Sequence, residues 1–580
     1  MFEIKDRFYL NGEPFQIISG AVHYFRTVPE YWRDRLEKLV NMGCNTVETY
    51  IPWNFHEPRR GEFLWDGMHD ICRFIKTAQE LGLYIILRPS PYICAEWEFG
   101  GLPAWLLKDP QMRLRCSYEP YLEAVKSYYS VLMPKLVPYQ IGNGGNIILM
   151  QIENEYGYYG NDRAYLEFLR DTMRELGVTV PFVTSDGPWS EAIFKSGMVD
   201  GALATGNFGS GAEWQFGEMR RFIGEDKPLM CMEFWDGWFD AWGEVHHRTE
   251  PEKAACELEE LLKRGSLNFY MFEGGTNFGF MAGRNNGKKT ADVTSYDYDS
   301  PLTEDGQITE KYRLCKEVIA RYADAREVPL STKIRRADFG EVKCTAKTDL
   351  FSVLDKISKP ASSVYPLGFE ELDCYYGYVL YRVKVRDDEA VGSIRCENAA
   401  DRVLGFRNGK YAFTAFAENM VEQFELSEKV SGGTVDLLVE NIGRENFGTG
   451  LEQQRKGILG GVKLNDHRHF GFEMFPLPLD EKQIERIDFG CGYEGARPAF
   501  YKFSFDVDEP ADTFLDTEGF GKGVAFVNGF NLGRFWNIGP QKRLFIPAPL
   551  LKRGENHIII FETEGKCVES IYLSDSPDLG

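Results

Sequence analysis

With 580 residues, the chain is long enough for about three or four domains. Its formal charge of −22 would repel a phosphate backbone and excludes nucleic acid as a natural partner. The 12 cysteines are scattered, without a CxxC pair or a Cys/His cluster at ligand spacing, so reduced thiols are expected and no metal or cofactor is implied. The first residues, MFEIKDRFYLNGEPF, show no basic segment followed by an apolar one. No apolar run approaches the ~18 residues that span a bilayer. A cytoplasmic protein without a membrane partner is the expectation.

Strand and helix signals alternate from the start. QIISGAVHYF (Gln16 to Phe25) reads as a strand. Tyr31 to Met42 then places Leu36, Leu39 and Val40 at helical spacing, with Gly43 as a stop. Asn45 to Trp53 is the second strand and Met68 to Leu81 the second helix. Leu83 to Ile93 is the third strand, followed by a helix from about Tyr121 to Leu136. The fourth strand opens at Asn146, and its helix carries Leu166, Leu169, Met173 and Leu176 on one face. Pro181 to Asp186, Gly201 to Asn207, the run from Pro228 that ends in Glu233, and Leu267 to Phe280 supply strands five to eight. A helix over Ala255 to Arg264 follows the seventh, and Thr309 caps a closing helix through Tyr322. This order predicts an α/β fold, a parallel (β/α)8 TIM barrel over residues 1–330.

Two of these strands end in acids. NIILMQIENEYG (Asn146 to Gly157) is a short apolar run that leads into Glu153, Asn154 and Glu155, and PLMCMEFWDGW (Pro228 to Trp238) leads into Glu233. All strands of a parallel barrel point the same way, so carboxylates from strands four and seven meet at one mouth. The bland alternative is a pair of strand-end acids held by neighbouring arginines. Glycoside hydrolysis needs two carboxyls, one protonated to assist the leaving oxygen and one ionised to attack the anomeric carbon. Retaining enzymes hold them ~5–5.5 Å apart. Period-2 alternation gives Glu153 and Glu155 the same facing and cannot choose between them. His23 and His56 have no metal spacing around them and read as structural hydrogen-bonding groups.

The motifs VETYIPWNFHEP, RPSPYICAEWEFGGLPAWLL, QIENEYG, EFWDGW and TSYDYDSPLTEDG occur in this order between Val47 and Gly306. They resemble the retaining β-galactosidases of glycoside hydrolase family 35, specifically the bacterial, intracellular type, and the resemblance extends over essentially the whole chain. It implies Glu155, the acid of the Asn-Glu pair, as acid/base and Glu233 as nucleophile, with Glu153 left as a structural barrel acid. It also implies a galactose pocket of Tyr50, Cys94, Ala95, Glu96, Asn154 and Tyr298. Asn154 would bind the sugar 2-hydroxyl, Glu96 would accept from adjacent hydroxyls, and Tyr298 would donate to the nucleophile. Arg88 reads as a partner for a barrel acid. Two residues after the nucleophile the family's animal lysosomal members have Tyr, whereas this chain has Trp235, with Trp238 close behind. Both indoles are expected to stack on the leaving sugar.

Beyond Ala325 alternating runs broken by Gly, Asn and Asp take over. YRVKV precedes FRNGK as YKFSFDV precedes FVNGF, and in each copy Tyr (Tyr381, Tyr501) and Asn (Asn408, Asn528) lie 27 positions apart. A duplicated antiparallel β-sandwich of jelly-roll type is expected, each copy with an NG hairpin. The expected division is a linking segment at 331–363, a first sandwich at 364–480 and a second, galactose-binding-like one at 481–580. GRENFG (Gly443 to Gly448) resembles a family loop that reaches the mouth, with Phe447 facing the leaving sugar. The expected activity is exo-acting, retaining release of terminal β-D-galactose from a galactose-terminated oligosaccharide, with β1,3-linked galactose as the favoured linkage. Another β-glycoside, such as β-glucosamine, is the alternative substrate. A non-catalytic carbohydrate-binding protein is the alternative class, and formation of a homodimer stays open.

Overall fold

The structure, a computed structural model, describes residues 1–285, 290–324 and 326–580. Eight parallel strands close a barrel: β1 (Ile18–Val22), β2 (Thr46–Tyr50), β3 (Tyr84–Arg88), β4 (Ile147–Gln151), β5 (Phe182–Asp186), β6 (Ala202–Asn207), β7 (Met230–Trp235) and β8 (Ser266–Glu273). Every residue of β4 is buried, which is why its apolar run shows no alternation. Ile147 and Met150 join the core under the helices. Ile148 and Leu149 instead pack with Ile86, Val183, Met230 and Met232. Phe2 and Phe8, on an N-terminal antiparallel hairpin, belong to that second cluster and close the barrel away from the acids.

The helices end where their chemistry directs. Gly43 takes φ 105° after Trp32–Met42, a left-handed turn at no Cβ cost. The Thr309 hydroxyl accepts from the Tyr312 amide and starts Glu310–Ile319. The third and eighth strands are shorter than the apolar runs suggest, stopping at Arg88 and Glu273. Beyond those points the apolar residues belong to loops folded over the barrel mouth. Among the described residues no helix is long and apolar enough to cross a membrane.

Two all-β units follow. In the first, strand Tyr378–Lys384 pairs with Thr434–Glu440, which pairs with Arg402–Arg407. In the second, Ala499–Val507 pairs with Gly554–Glu562, which pairs with Lys522–Val527. The duplication extends to register: Tyr378 faces Glu440 as Ala499 faces Glu562. In each copy Asn-Gly turns the hairpin, with φ 51° and 73° at Asn408 and Gly409 and 48° and 90° at Asn528 and Gly529. Residues 331–363, expected as a linking segment, are largely built into these units. Strand Gly340–Asp349 lies between Ala499–Val507 and Ser570–Ser574, and Ala361–Ser363 pairs with Phe472–Leu477. Lys343, Thr345 and Lys347 leave the longer strand too polar to read as one.

Candidate active site

All ten site residues expected from the sequence line one cavity of about 280 Å³ at the mouth. That is the small end of the range for ligand cavities. Tyr50 ends β2, Glu233 and Trp235 lie on β7, and Asn154 and Glu155 follow β4. Cys94, Ala95 and Glu96 come from the loop after β3, with φ of 57°, 56° and 48°. Three successive non-glycine residues in the left-handed region cost about 1–2 kcal/mol each. Glu155 (46°) and Tyr298 (62°) share that conformation. The surrounding packing holds a backbone that these residues would not adopt alone.

Glu233 receives three donors. Arg88 Nη2 and the Tyr50 hydroxyl reach Oε1 at 2.6 and 2.8 Å, and the Trp235 indole N–H reaches Oε2 at 3.1 Å. The phenol on Glu233 is therefore Tyr50, where Tyr298 was expected. Tyr298 stands nearby, its ring 5.6 Å from Tyr270. The Arg88 guanidinium also lies over the Tyr50 ring and 3.8 Å from Glu48. The guanidinium is closer to Glu233, at 2.6 Å, than to Glu48, which burial pushes up to about 8.

Glu155 has the opposite surroundings. Burial, and then the charge of Glu233, push it up to about 8. The Asn207 amide, donating to Oε1 at 3.0 Å, works against that rise. Asn154 Oδ1 accepts from Arg88 and Gln151 and lies 2.9 Å from the Tyr50 hydroxyl, whose single proton it shares with Glu233, and this turns its Nδ2 donor to the cavity. Glu96 accepts from Tyr296 and, at 3.4 Å, from Asn446 of the first all-β unit, and burial raises it to about 7.

Glu153 does not enter the cavity. Arg115 grips both its oxygens at 3.0 and 2.9 Å, and the Tyr165 hydroxyl donates at 2.8 Å. The expectation that Glu153 and Glu155 face the same way fails because the strand ends at Gln151 and Glu153 takes φ 57°. His23 and His56 are fully buried, bonded to Arg26 and Tyr24, and burial lowers both. Among the described residues no group of three His, Cys, Asp or Glu is placed to hold a metal.

Trp235 ends β7 instead of lying beyond it, while Trp238 is on the following loop, 39% exposed. Trp189 lies tilted against Trp235 at 6.0 Å and Phe447 meets Tyr158 at 5.8 Å, completing an aromatic wall. Sequence reasoning missed Asn207, Glu48, Trp189, Tyr296 and Asn446. Asn207 was findable as the last residue of a barrel strand. Tyr296 and Asn446 arrive on loops distant in sequence, with no local signal.

The family model for Glycosyl hydrolases family 35 matches residues 7–322. The models Beta-galactosidase, first all-beta domain, and Beta-galactosidase, galactose-binding domain, match 366–478 and 498–556. The chain is 38% identical to Beta-galactosidase-1-like protein 2 of Homo sapiens, over 99% of its own length and 91% of that relative's. It is 38% identical to Beta-galactosidase of Homo sapiens, over 100% and 89%. With Beta-galactosidase 17 of Arabidopsis thaliana the identity is 37%, over 98% and 88%. These relatives are eukaryotic, so the bacterial type expected from the sequence is not borne out. With its family matched over more than half its length, the chain belongs to glycosyl hydrolases family 35 and is a glycoside hydrolase of the β-galactosidase type.

Proposed function

We propose that the protein is an exo-acting, retaining β-galactosidase that removes terminal non-reducing β-D-galactose by double displacement. The observation that carries this reading is the contrast between two carboxyls lining one cavity. Glu233 is surrounded by donors, whereas Glu155 is held in its acid form by burial and by Glu233. In the first step Glu155 gives its proton to the glycosidic oxygen as Glu233 bonds to the anomeric carbon. The resulting ester removes the Glu233 charge, so Glu155 loses its proton more readily and becomes the base that activates water. Asn154 Nδ2 would meet the sugar 2-hydroxyl, and Glu96 would accept from two hydroxyls deeper in. The small cavity supports removal of one terminal sugar at a time. The aromatic wall supports a strong preference for one linkage. The choice of β1,3 loses the bacterial resemblance on which it rested.

A panel of nitrophenyl β-glycosides tests the reading. Galactoside should be hydrolysed fastest, with glucosaminide far behind. The reverse order would contradict the assignment of the pocket.

A further inference from the structure

We infer that Asn207, backed by Ser185, is a positioning residue that keeps the transferable proton of Glu155 on one carboxyl oxygen. The inference rests on the reading of Glu155 as acid/base. Asn207 ends β6 and is fully buried, between Glu155 beyond β4 and its barrel neighbour Glu233 on β7. Its Nδ2 donates to Glu155 Oε1 at 3.0 Å. The Ser185 hydroxyl donates to Asn207 Oδ1, so the amide carbonyl is occupied and its N–H₂ end faces the acid. Ser185 also accepts the Glu155 backbone N–H at 3.0 Å through its own carbonyl. One residue thus ties both ends of this contact to β5.

An oxygen that accepts an amide N–H is the poorer site for a proton, so the proton resides on Oε2. In the first step it passes from Oε2 to the glycosidic oxygen as that C–O bond breaks and the Glu233 C–O bond forms. In the second, water gives a proton to Oε2 while its oxygen bonds to the anomeric carbon and the ester bond to Glu233 breaks. Oε1 remains an acceptor throughout, and the donor favours the ionised form. The other groups facing Glu155 are Glu233, Glu96, Asp186, Arg88, Tyr158, Tyr92 and Cys94. None of them is a neutral donor to Oε1.

The test is the pH dependence of kcat/KM on a galactoside with a poor leaving group, whose alkaline limb reports loss of the acid's proton. Asn207→Ala should move that limb up by about one pH unit, the scale of one hydrogen bond to a charged group. Ser185→Ala should move it the same way by less, and Ser185→Thr, which restores a hydroxyl, should bring it back. A limb fixed at its original pH in both alanine variants would overturn the inference, even if activity falls. The reading of Glu155 is tested separately: if Glu155→Gln keeps the alkaline limb, the acid lies elsewhere and that reading fails.

Discussion

At the residue scale, one turn of backbone separates an acid locked in an ion pair from one that lines the cavity. Glu153 and Glu155 differ by two positions, yet one is locked to Arg115 and the other opens on the cavity. Periodicity applies only inside a strand, and both residues lie past its end with φ near 50°. The sequence alone therefore could not assign them, and the family's Asn-Glu pair could. Glu155→Gln should cut kcat/KM about 10²–10⁴-fold on poor leaving groups while sparing much of the activity on activated aryl galactosides, which need little proton assistance. Glu233→Gln should be inactive on both. Equal losses in the two variants would dissolve the division of roles. The pH profile follows in sign. Glu155 is raised to about 8 by burial and Glu233, so it is protonated through neutrality, and activity should fall as pH rises past that region. An acidic optimum with steep loss before neutrality would contradict this electrostatic account.

At the element scale, the strands were legible and the loops were not. Alternation of short strand-like runs with helical ones located all eight barrel strands, and β4 shows most plainly the continuous hydrophobic run that burial on both faces leaves. The loop after β3 read as more strand, since Tyr92 and Ile93 are apolar for a different reason: they are fully buried beside Cys94, which lines the cavity. The loop after β7 separates two indoles that looked equivalent. Trp235 donates to Glu233, whereas Trp238 is exposed and makes an edge contact with Trp235 at 5.6 Å. Trp238→Ala should therefore reduce kcat/KM on the preferred disaccharide by ~1–3 kcal/mol of transition-state binding and leave nitrophenyl galactoside nearly unchanged. Trp235→Phe should lower both substrates together, because it removes a hydrogen bond to Glu233, the proposed nucleophile. If the two variants respond alike, the indoles act as one wall and the orienting bond is incidental.

At the scale of the whole molecule, the barrel does not complete its own site. Strand Glu445–Phe447 from the first all-β unit runs beside Arg284–Asn285 and places Asn446 on Glu96 and Phe447 at the rim. Arg444 anchors that strand, pairing at 2.7 Å with Glu98 of the pocket loop and at 2.6 Å with Glu370, all three buried. Arg444→Met would leave two buried carboxylates without their cation, at a cost of about 3–5 kcal/mol. Its thermal unfolding midpoint should fall and KM for galactosides should rise. Unchanged values would mean that the loop is held by its backbone alone. The duplication was readable because hairpin chemistry repeats locally, whereas this clamp joins residues hundreds of positions apart. The central claim is that Glu233 forms a covalent galactosyl ester which Glu155 helps water to break, and the anomer released first tests it most directly. Proton NMR at the start of hydrolysis should show β-galactose, with the α form growing in only by mutarotation. If α-galactose appears first, water attacks directly, and Glu233 is not the nucleophile.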